Sequence, residues 1–598
     1  MENKKQAIIL SGVAIVALLA LIIGATYAYF RASGNSGSNT DINVTTYTLD
    51  LLSFEMGSDI KINADQTSFA SGKGNATGST FAKAILTANN KTNTATKNYY
   101  MYLNISNNTF TYTQNENTPE LLLTITDVSG NAITSITGLT YKTVIDGKGT
   151  SVSGFDITTK SGLLTLFDNR EITASPTKTE EWNVTVTFVN YNVNQTGNAG
   201  KSFNAKLMIQ QEEYELTLAD ICAGKTLSDC VISQYTGTQG DNALYYHNST
   251  LTNGAGDNSY RYAGGDYVLT EAGKATGATM MIGYNNSVTT ALIDFYCNGT
   301  KQYVGYASSC STSHYYLIKG DTTQYQTYNE ALNASVEKGY LTKDNVKNFV
   351  CFGSDATTCP TENLYRIIGV FNNHVKLIKY DYAKSSLLGT DGDFSQEYTS
   401  NYFSGEQGES PSSNSLYYWN NAGTNTWSAS KLNTVNLNTN FTTNIGTAWA
   451  NKIATTTWKV GGGTYANLRD AVPKTAYQYE VGSSASTTTY DAKIGLMYVS
   501  DYYYSASPSA WTLVGYNSDY TKSYASAKGE NWLYGGGWDW TISRDSDSSS
   551  NAFDVYSNGS VLDYNVGYNF GVRPSFSLLS STTYVSGSGS MSDPVRIN

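Results

Sequence analysis

Between Trp532 and Asn569 rigid aromatic side chains alternate with short polar ones. Trp532, Tyr534, Trp538, Trp540, Tyr556, Tyr564 and Tyr568 stand among Asn, Asp, Ser and Gly. Aromatic faces stack on sugar rings, and Asp and Asn hydrogen-bond hydroxyls; rigid aromatics beside small polar groups are also the chemistry of antibody paratopes. Residues 544–569 are therefore read as a ligand face. Its contacts are Arg544, Asp545, Asp547, Asn551, Asp554, Tyr556, Asn558, Asp563, Tyr564, Asn565, Tyr568 and Asn569. Phe553, Val555, Val561 and Val566 are spaced to pin the loop to a core, and this should turn Asp554, Tyr556, Asn558, Asp563, Tyr564, Asn565, Tyr568 and Asn569 outward. Trp532 and Trp540 flank Gly535-Gly536-Gly537, so they read as core with binding as the rival, and Arg573 reads as a structural arginine before a strand.

Catalysis finds less support. Asp539, Asp545, Asp547, Asp554 and Asp563 supply carboxylates for glycan hydrolysis, but their spacing selects no acid pair. Asp545-Ser546-Asp547-Ser548-Ser549-Ser550-Asn551 alternates oxygen ligands as a calcium loop does. It lacks glycine at the sixth position and has Tyr556 where the twelfth should be a carboxylate, so a solvated turn is the preferred reading. The 3 histidines, His247, His314 and His374, form no HExxH pattern and no Ser/His/Asp arrangement with the C-terminal part. We expect no catalytic residue, no metal and no cofactor: the chain reads as a binding protein and not an enzyme. A net charge of −11 argues against nucleic acid as a partner.

The 6 cysteines fall as close pairs, Cys222 with Cys230, Cys297 with Cys310, and Cys351 with Cys359. Local disulfides are expected, each worth about 2–3 kcal/mol through the unfolded chain, and zinc, which wants denser Cys/His spacing, is the rival reading. Disulfides require an oxidising compartment. The N-terminus supplies the route there. Lys4 and Lys5 precede an uncharged run from Ala7 to Ala25, which would span about 28 Å as a helix. The lysines stay inside, so the C-terminus is extracellular. Residues 1–30 are thus a transmembrane anchor or a signal peptide cleaved at Thr26-Tyr27-Ala28. The protein is then either single-pass in the cell membrane or secreted. None of the 8 prolines follows a leucine, so no LPxTG-type wall-sorting motif is present.

The fold class expected is mostly β with α+β. From about 40 to 215, Tyr99, Met101, Leu103 and Ile105, then Trp182, Val184, Val186 and Phe188, then Phe203, Ala205, Leu207 and Ile209 alternate with polar residues. Strands with one buried face, joined by turns such as Ser129-Gly130-Asn131, make an antiparallel β-sandwich. Residues 216–346 form a disulfide-bearing middle segment, either a small stapled domain or a structured linker. Thr327-Tyr328-Asn329-Glu330 is a capping box opening a helix over 328–338, with Gly339 as its stop. In 347–598, Leu364–Phe371, the turn Asn372-Asn373 and Val375–Ile378 read as a hairpin. Two amphipathic helices should follow, one carrying Leu432 and Val435, the other Phe441, Ile445, Trp449 and Ile453.

Two resemblances follow. The segment Gly24-Ala25-Thr26-Tyr27-Ala28-Tyr29-Phe30 ahead of a sandwich resembles the camelysin/TasA-like exported proteins of Gram-positive bacteria. That likeness implies a matrix-fibre role; the metalloprotease activity ascribed to some members is disfavoured by the scattered histidines. Cys351-Phe352-Gly353, Leu364-Tyr365-Arg366-Ile367-Ile368-Gly369-Val370, Trp540-Thr541-Ile542-Ser543-Arg544, Asn551-Ala552-Phe553-Asp554-Val555 and Gly571-Val572-Arg573-Pro574 occur in order. This set resembles the DUF6273-type domain of gut Firmicutes surface proteins. Its closing portion is similar to C-type-lectin-like folds, including the formylglycine-generating-enzyme group, and implies an α+β lectin-like domain over 347–598. Trp532-Leu533 is followed by Tyr534 where many relatives carry arginine. No cysteine follows Cys359, so the oxidase chemistry of that group is not expected. The functions implied are an adhesin or receptor for a glycan or protein ligand, or alternatively a structural matrix component.

Overall fold

A computed structural model describes residues 49–64, 73–89, 92–214, 216–282, 290–302, 310, 313–343, 345–400 and 412–598. The anchor or signal expected in residues 1–30 lies outside them. No described helix is long and apolar enough to cross a membrane. The chain forms two compact units that meet in sequence at Leu216 and Thr217.

The first unit is built from ten strands: β1 (Leu51–Met56), β2 (Ile60–Asn63), β3 (Ala76–Thr87), β4 (Ala95–Asn108), β5 (Leu121–Asp127), β6 (Tyr141–Ile145), β7 (Ser151–Asp156), β8 (Gly162–Ala174), β9 (Thr177–Phe188) and β10 (Ser202–Gln210). They form two antiparallel sheets, ordered β1-β3-β9-β5-β7-β6 and β2-β10-β4-β8. The period-two residues of β4, β9 and β10 are all buried in one core, because alternate side chains share a face. At its centre Trp182 meets Phe167 edge-on at 4.7 Å and donates its indole N–H to the Tyr99 hydroxyl at 2.9 Å. Tyr99 in turn donates to Glu180, which Arg170 also grips. The 129–131 turn closes as its sequence suggests: Gly130 takes φ +85°, and the Asp127 carboxylate accepts the amides of Ser129 and Asn131.

The second unit is organised on an antiparallel sheet whose path runs Leu244–Tyr246, Tyr260–Tyr262, Leu364–Phe371, His374–Lys379, Ser575–Ser577 and Ile494–Gly495, with Phe349–Cys351 added beside Leu364–Phe371. Strands from both sides of residue 346 share this sheet, and Cys222, Leu227 and Val231 sit in the same core as Tyr365, Leu377 and Phe576. Asn372 and Asn373 both take positive φ, 48° and 63°, which is the two-residue turn that matches strand twist. The return strand begins at His374, opposite Phe371. A helix runs Tyr328–Glu337 behind the Thr327/Glu330 capping box and stops before Gly339 at φ +72°. All three local disulfides are formed.

The region 432–453 departs from the two helices expected. Leu432–Phe441 winds as a wide π-type turn, and Thr442–Asn444 and Thr447–Ala450 are single turns separated by Gly446 at φ +87°. Asparagine side chains compete for the backbone: Asn438 donates to the Asn433 carbonyl, and Asn436 to those of Leu388 and Asp391. Phe441, Ile445 and Ile453 still reach the core. Nearby, helix Val499–Tyr504 delivers Tyr502 and Tyr503 to a buried cluster with Tyr524, whose ring lies 4.4 Å from that of Tyr503. Their hydroxyls donate to the carbonyls of Gly559, Leu468 and Tyr503 respectively.

Candidate functional site

The ligand tract folds as a three-stranded antiparallel sheet, Asp539–Arg544, Asn551–Val555 and Val561–Asn565. Its register sets Trp540, Asp554 and Leu562 opposite one another, hence on one face. Two residues further along the strands, Tyr556 and Tyr564 fall on the same face. Their rings are 6.3 Å apart and nearly parallel, at 14°. Trp538 extends this row at 5.9 Å from Tyr556, and Tyr568 at 5.5 Å from Tyr564. Phe570 underlies it, touching Trp538, Trp540 and Tyr564. Tyr568 is 55% exposed; Trp538, Tyr556 and Tyr564 are half-buried. The result is an aromatic row open along one side.

The polar residues divide into three groups. Asp547 and Asn565 are exposed with Tyr568. Arg544, Asn551, Asn558 and Asn569 are half-buried and held by neighbours: Arg544 donates to the Gly461 carbonyl, Asn551 to Asp563, Asn558 accepts the Ser560 amide, and Asn569 donates to Ser395. Asp545, Asp554 and Asp563 face inward, which corrects the expectation that Asp554 and Asp563 point out. The Asp563 carboxylate is 1% exposed, paired with Arg469 at 3.4 Å and accepting from Asn551 at 2.8 Å. The carboxyl group of Asp554 is fully buried, and neither oxygen has a hydrogen-bond partner. Burial, reinforced by the charges of Asp563 and Asp539, pushes it well above the ordinary carboxylate range and so favours the protonated form.

The loop 545–550 is shaped by a residue far away in sequence. Asn425 donates its side-chain amide to the carbonyls of Asp545, Ser548 and Asn551, each at 2.8 Å. Asp545 is buried and accepts the Asp547 amide. Among the described residues no three His, Cys, Asp or Glu side chains converge as metal ligands. Trp532 and Trp540 are buried, Trp540 donating to the Tyr417 carbonyl at 3.0 Å. Arg573 is buried too, its Nε 2.5 Å from Asp539 and its Nη2 2.7 Å from the Leu533 carbonyl, a structural arginine.

Sequence reasoning left Trp538 and Phe570 out of the ligand set. Trp538 sits in register with the row, two residues before Trp540, and that spacing was the available signal. Phe570 lies in the separate strand Asn569–Phe570, paired with Ser412–Tyr418, which no local pattern announces. Compared with known proteins, the chain matches no protein-family model and no curated protein sequence.

Proposed function

We propose that this is a cell-surface binding protein, anchored or secreted, which recognises an extracellular glycan or partner protein through the aromatic row of its second unit. The observation that carries the reading is the row itself: Trp538, Tyr556, Tyr564 and Tyr568 in ring contact, open on one side and edged by Asn565 and Asn569. Tyrosine offers contact area at small entropic cost, and each ring is already fixed by a neighbour. The resemblance to DUF6273-type, C-type-lectin-like domains points to the same end of the chain. No ion pair needs breaking at the row, so binding should depend little on salt.

The test is a glycan array and a host-protein pull-down with the full chain, wild type against Tyr556→Ala/Tyr564→Ala. A ligand whose binding falls about tenfold or more in the double variant, as loss of central aromatic contacts predicts, supports the reading. Undiminished binding by a folded double variant overturns it. A second reading, a matrix or fibre component, is favoured by the sheet edges of the sandwich: among the described residues β1 and β6 bound one sheet and β2 and β8 the other. Unpaired edges can accept strands from other copies. Filaments of the purified chain in electron microscopy would support it; dispersed particles would count against it.

A further inference from the structure

Where strands Leu364–Phe371 and His374–Lys379 meet residues 361–363 and 381–387, they leave an open cavity of about 220 Å³. A cavity of roughly 150 Å³ suffices for a benzene ring, so a small metabolite fits. Tyr365, Tyr382 and Ile445 supply apolar wall. Four charged residues also line it, Glu362, Lys379, Asp381 and Lys384, and of these Lys379 is buried and Asp381 half-buried. Lys379 is 3% exposed, and its ammonium group makes one hydrogen bond, donating to the Glu362 carbonyl at 3.0 Å. An ammonium has three protons to donate. Asp381 accepts one hydrogen bond, from the Tyr382 amide at 2.7 Å. The two groups feel one another's charge, yet no ion pair joins them. Burial works against both charges, lowering Lys379 to about 8 and raising Asp381, and each partly offsets the other's shift.

A buried charge without a full partner is costly, and a ligand that supplies the partner recovers that cost on binding. A simple anion entering here would meet Asp381 and Glu362 as well as Lys379. A simple cation would meet Lys379 and the exposed Lys384 at the rim. A molecule carrying both charges on one short skeleton meets an opposite charge at each end. We propose that this cavity is a binding site for a free amino acid, its carboxylate on Lys379, its ammonium on Asp381 and its side chain against the Tyr365 and Ile445 wall. The site is separate from the aromatic row and does not depend on it.

The experiment is calorimetric titration of the full chain with the standard free amino acids, followed by the amide and N-acetyl derivatives of any that bind. At least one amino acid should bind. Its amide, lacking the carboxylate, and its N-acetyl form, lacking the ammonium, should each bind about tenfold weaker or less, the loss of one charge-assisted contact. Lys379→Met keeps an unbranched stem and removes a buried charge, so it should fold and should lose binding; Asp381→Asn should weaken it. Affinity should fall between about pH 7 and about pH 9.5, because the free Lys379 amine loses its proton in that interval while the bound form must keep it. Tyr556→Ala/Tyr564→Ala should bind amino acids as the wild type does. Failure of every amino acid to bind, or derivatives that bind wild type as tightly as the parent, would overturn the proposal whether or not the variants fold. So would unchanged binding in Lys379→Met.

Discussion

Arg366 and Asp266, separated by one hundred positions in the chain, are joined by two parallel hydrogen bonds of 2.7 Å each. The Arg366 guanidinium is almost fully buried, stacked on Phe349 at 4.2 Å and Trp532 at 4.7 Å, and it also donates to Asn348 and the Val346 carbonyl. Such a fork matches a carboxylate in both geometry and charge. Asp266→Ala would leave the cation buried with neutral partners only, so the second unit should lose roughly 2–4 kcal/mol. Asp266 is a third exposed, which holds the effect at the lower end of that range. Urea denaturation monitored by tryptophan fluorescence reads it directly; a midpoint unchanged from wild type would contradict it.

Gly571 is the place where Tyr382 lies. A Cβ on residue 571 would stand 2.1 Å from Cδ1 of Tyr382, and a Cβ on Gly535 would stand 2.8 Å from its hydroxyl oxygen. Gly571→Ala should therefore destabilise by about 1–3 kcal/mol, the usual cost of overpacking. A paired Gly571→Ala/Tyr382→Leu variant should recover part of that loss in thermal melts, which a purely backbone effect would not allow.

Asp554 predicts a pH dependence of known sign. Its folded carboxyl group holds its proton far more tightly than the unfolded one, so its favourable contribution is complete below about pH 4 and is lost as pH rises toward its raised folded value. Asp554→Asn is neutral at every pH. The stability difference, variant minus wild type, should grow by up to about 1.4 kcal/mol per pH unit above about pH 4. Equilibrium unfolding at several pH values measures the slope, and a flat difference would refute it.

His247 predicts the opposite sign. It is fully buried, with Nδ1 accepting the Ala255 amide at 3.1 Å and the ring packed against Tyr504 and Trp511. Burial, aided by the charge of Arg261, holds it well below the ordinary imidazole value. Its contribution is present above about pH 6.5 and is lost as pH falls below it, because only the unfolded ring takes up a proton. His247→Gln should blunt the acid sensitivity of the second unit between about pH 6.5 and pH 5, read from melting temperatures.

The three disulfides should open in an order set by access. Cys222, Cys230 and Cys351 are buried, whereas Cys297 and Cys310 are half-buried. Thiol–disulfide exchange requires a thiolate to reach sulfur. Limited reduction followed by alkylation and peptide mapping should label Cys297 and Cys310 first and Cys222 with Cys230 last.

What could be read from the sequence was whatever a local pattern decides. Tyr99, Met101 and Leu103 alternate because β4 has one covered face, and Asn372-Asn373, Thr327/Glu330 and the close cysteines each join residues no more than 13 apart. The aromatic row was legible for a related reason: Tyr556, Tyr564 and Tyr568 are large, rigid and near each other along the chain. The carboxylates were not, because the three-stranded sheet is covered on both faces. Tyr465 and Arg469 approach Phe553 and Asp563 on one side, and Tyr417 and Phe570 approach Trp540 on the other. Alternation then cannot tell inside from outside, and Asp554 and Asp563 turn in. Asn425, which shapes the 545–550 loop, and Asp266, which holds Arg366, act across distances along the chain that no local spacing encodes.

The cluster of Tyr502, Tyr503 and Tyr524 gives the molecule an optical clock. Burial drives all three phenols far above the ordinary tyrosine range, with Tyr503 and Tyr524 raised further by neighbouring phenols. In alkali they cannot become phenolates while the core stays closed, whereas solvent-exposed phenols can. Ultraviolet absorbance after a jump to strong base should thus rise in two steps. The first is immediate and reports the surface rings, and the second is slow and follows the rate at which the core opens. The chain carries its own unfolding reporter, with no label attached.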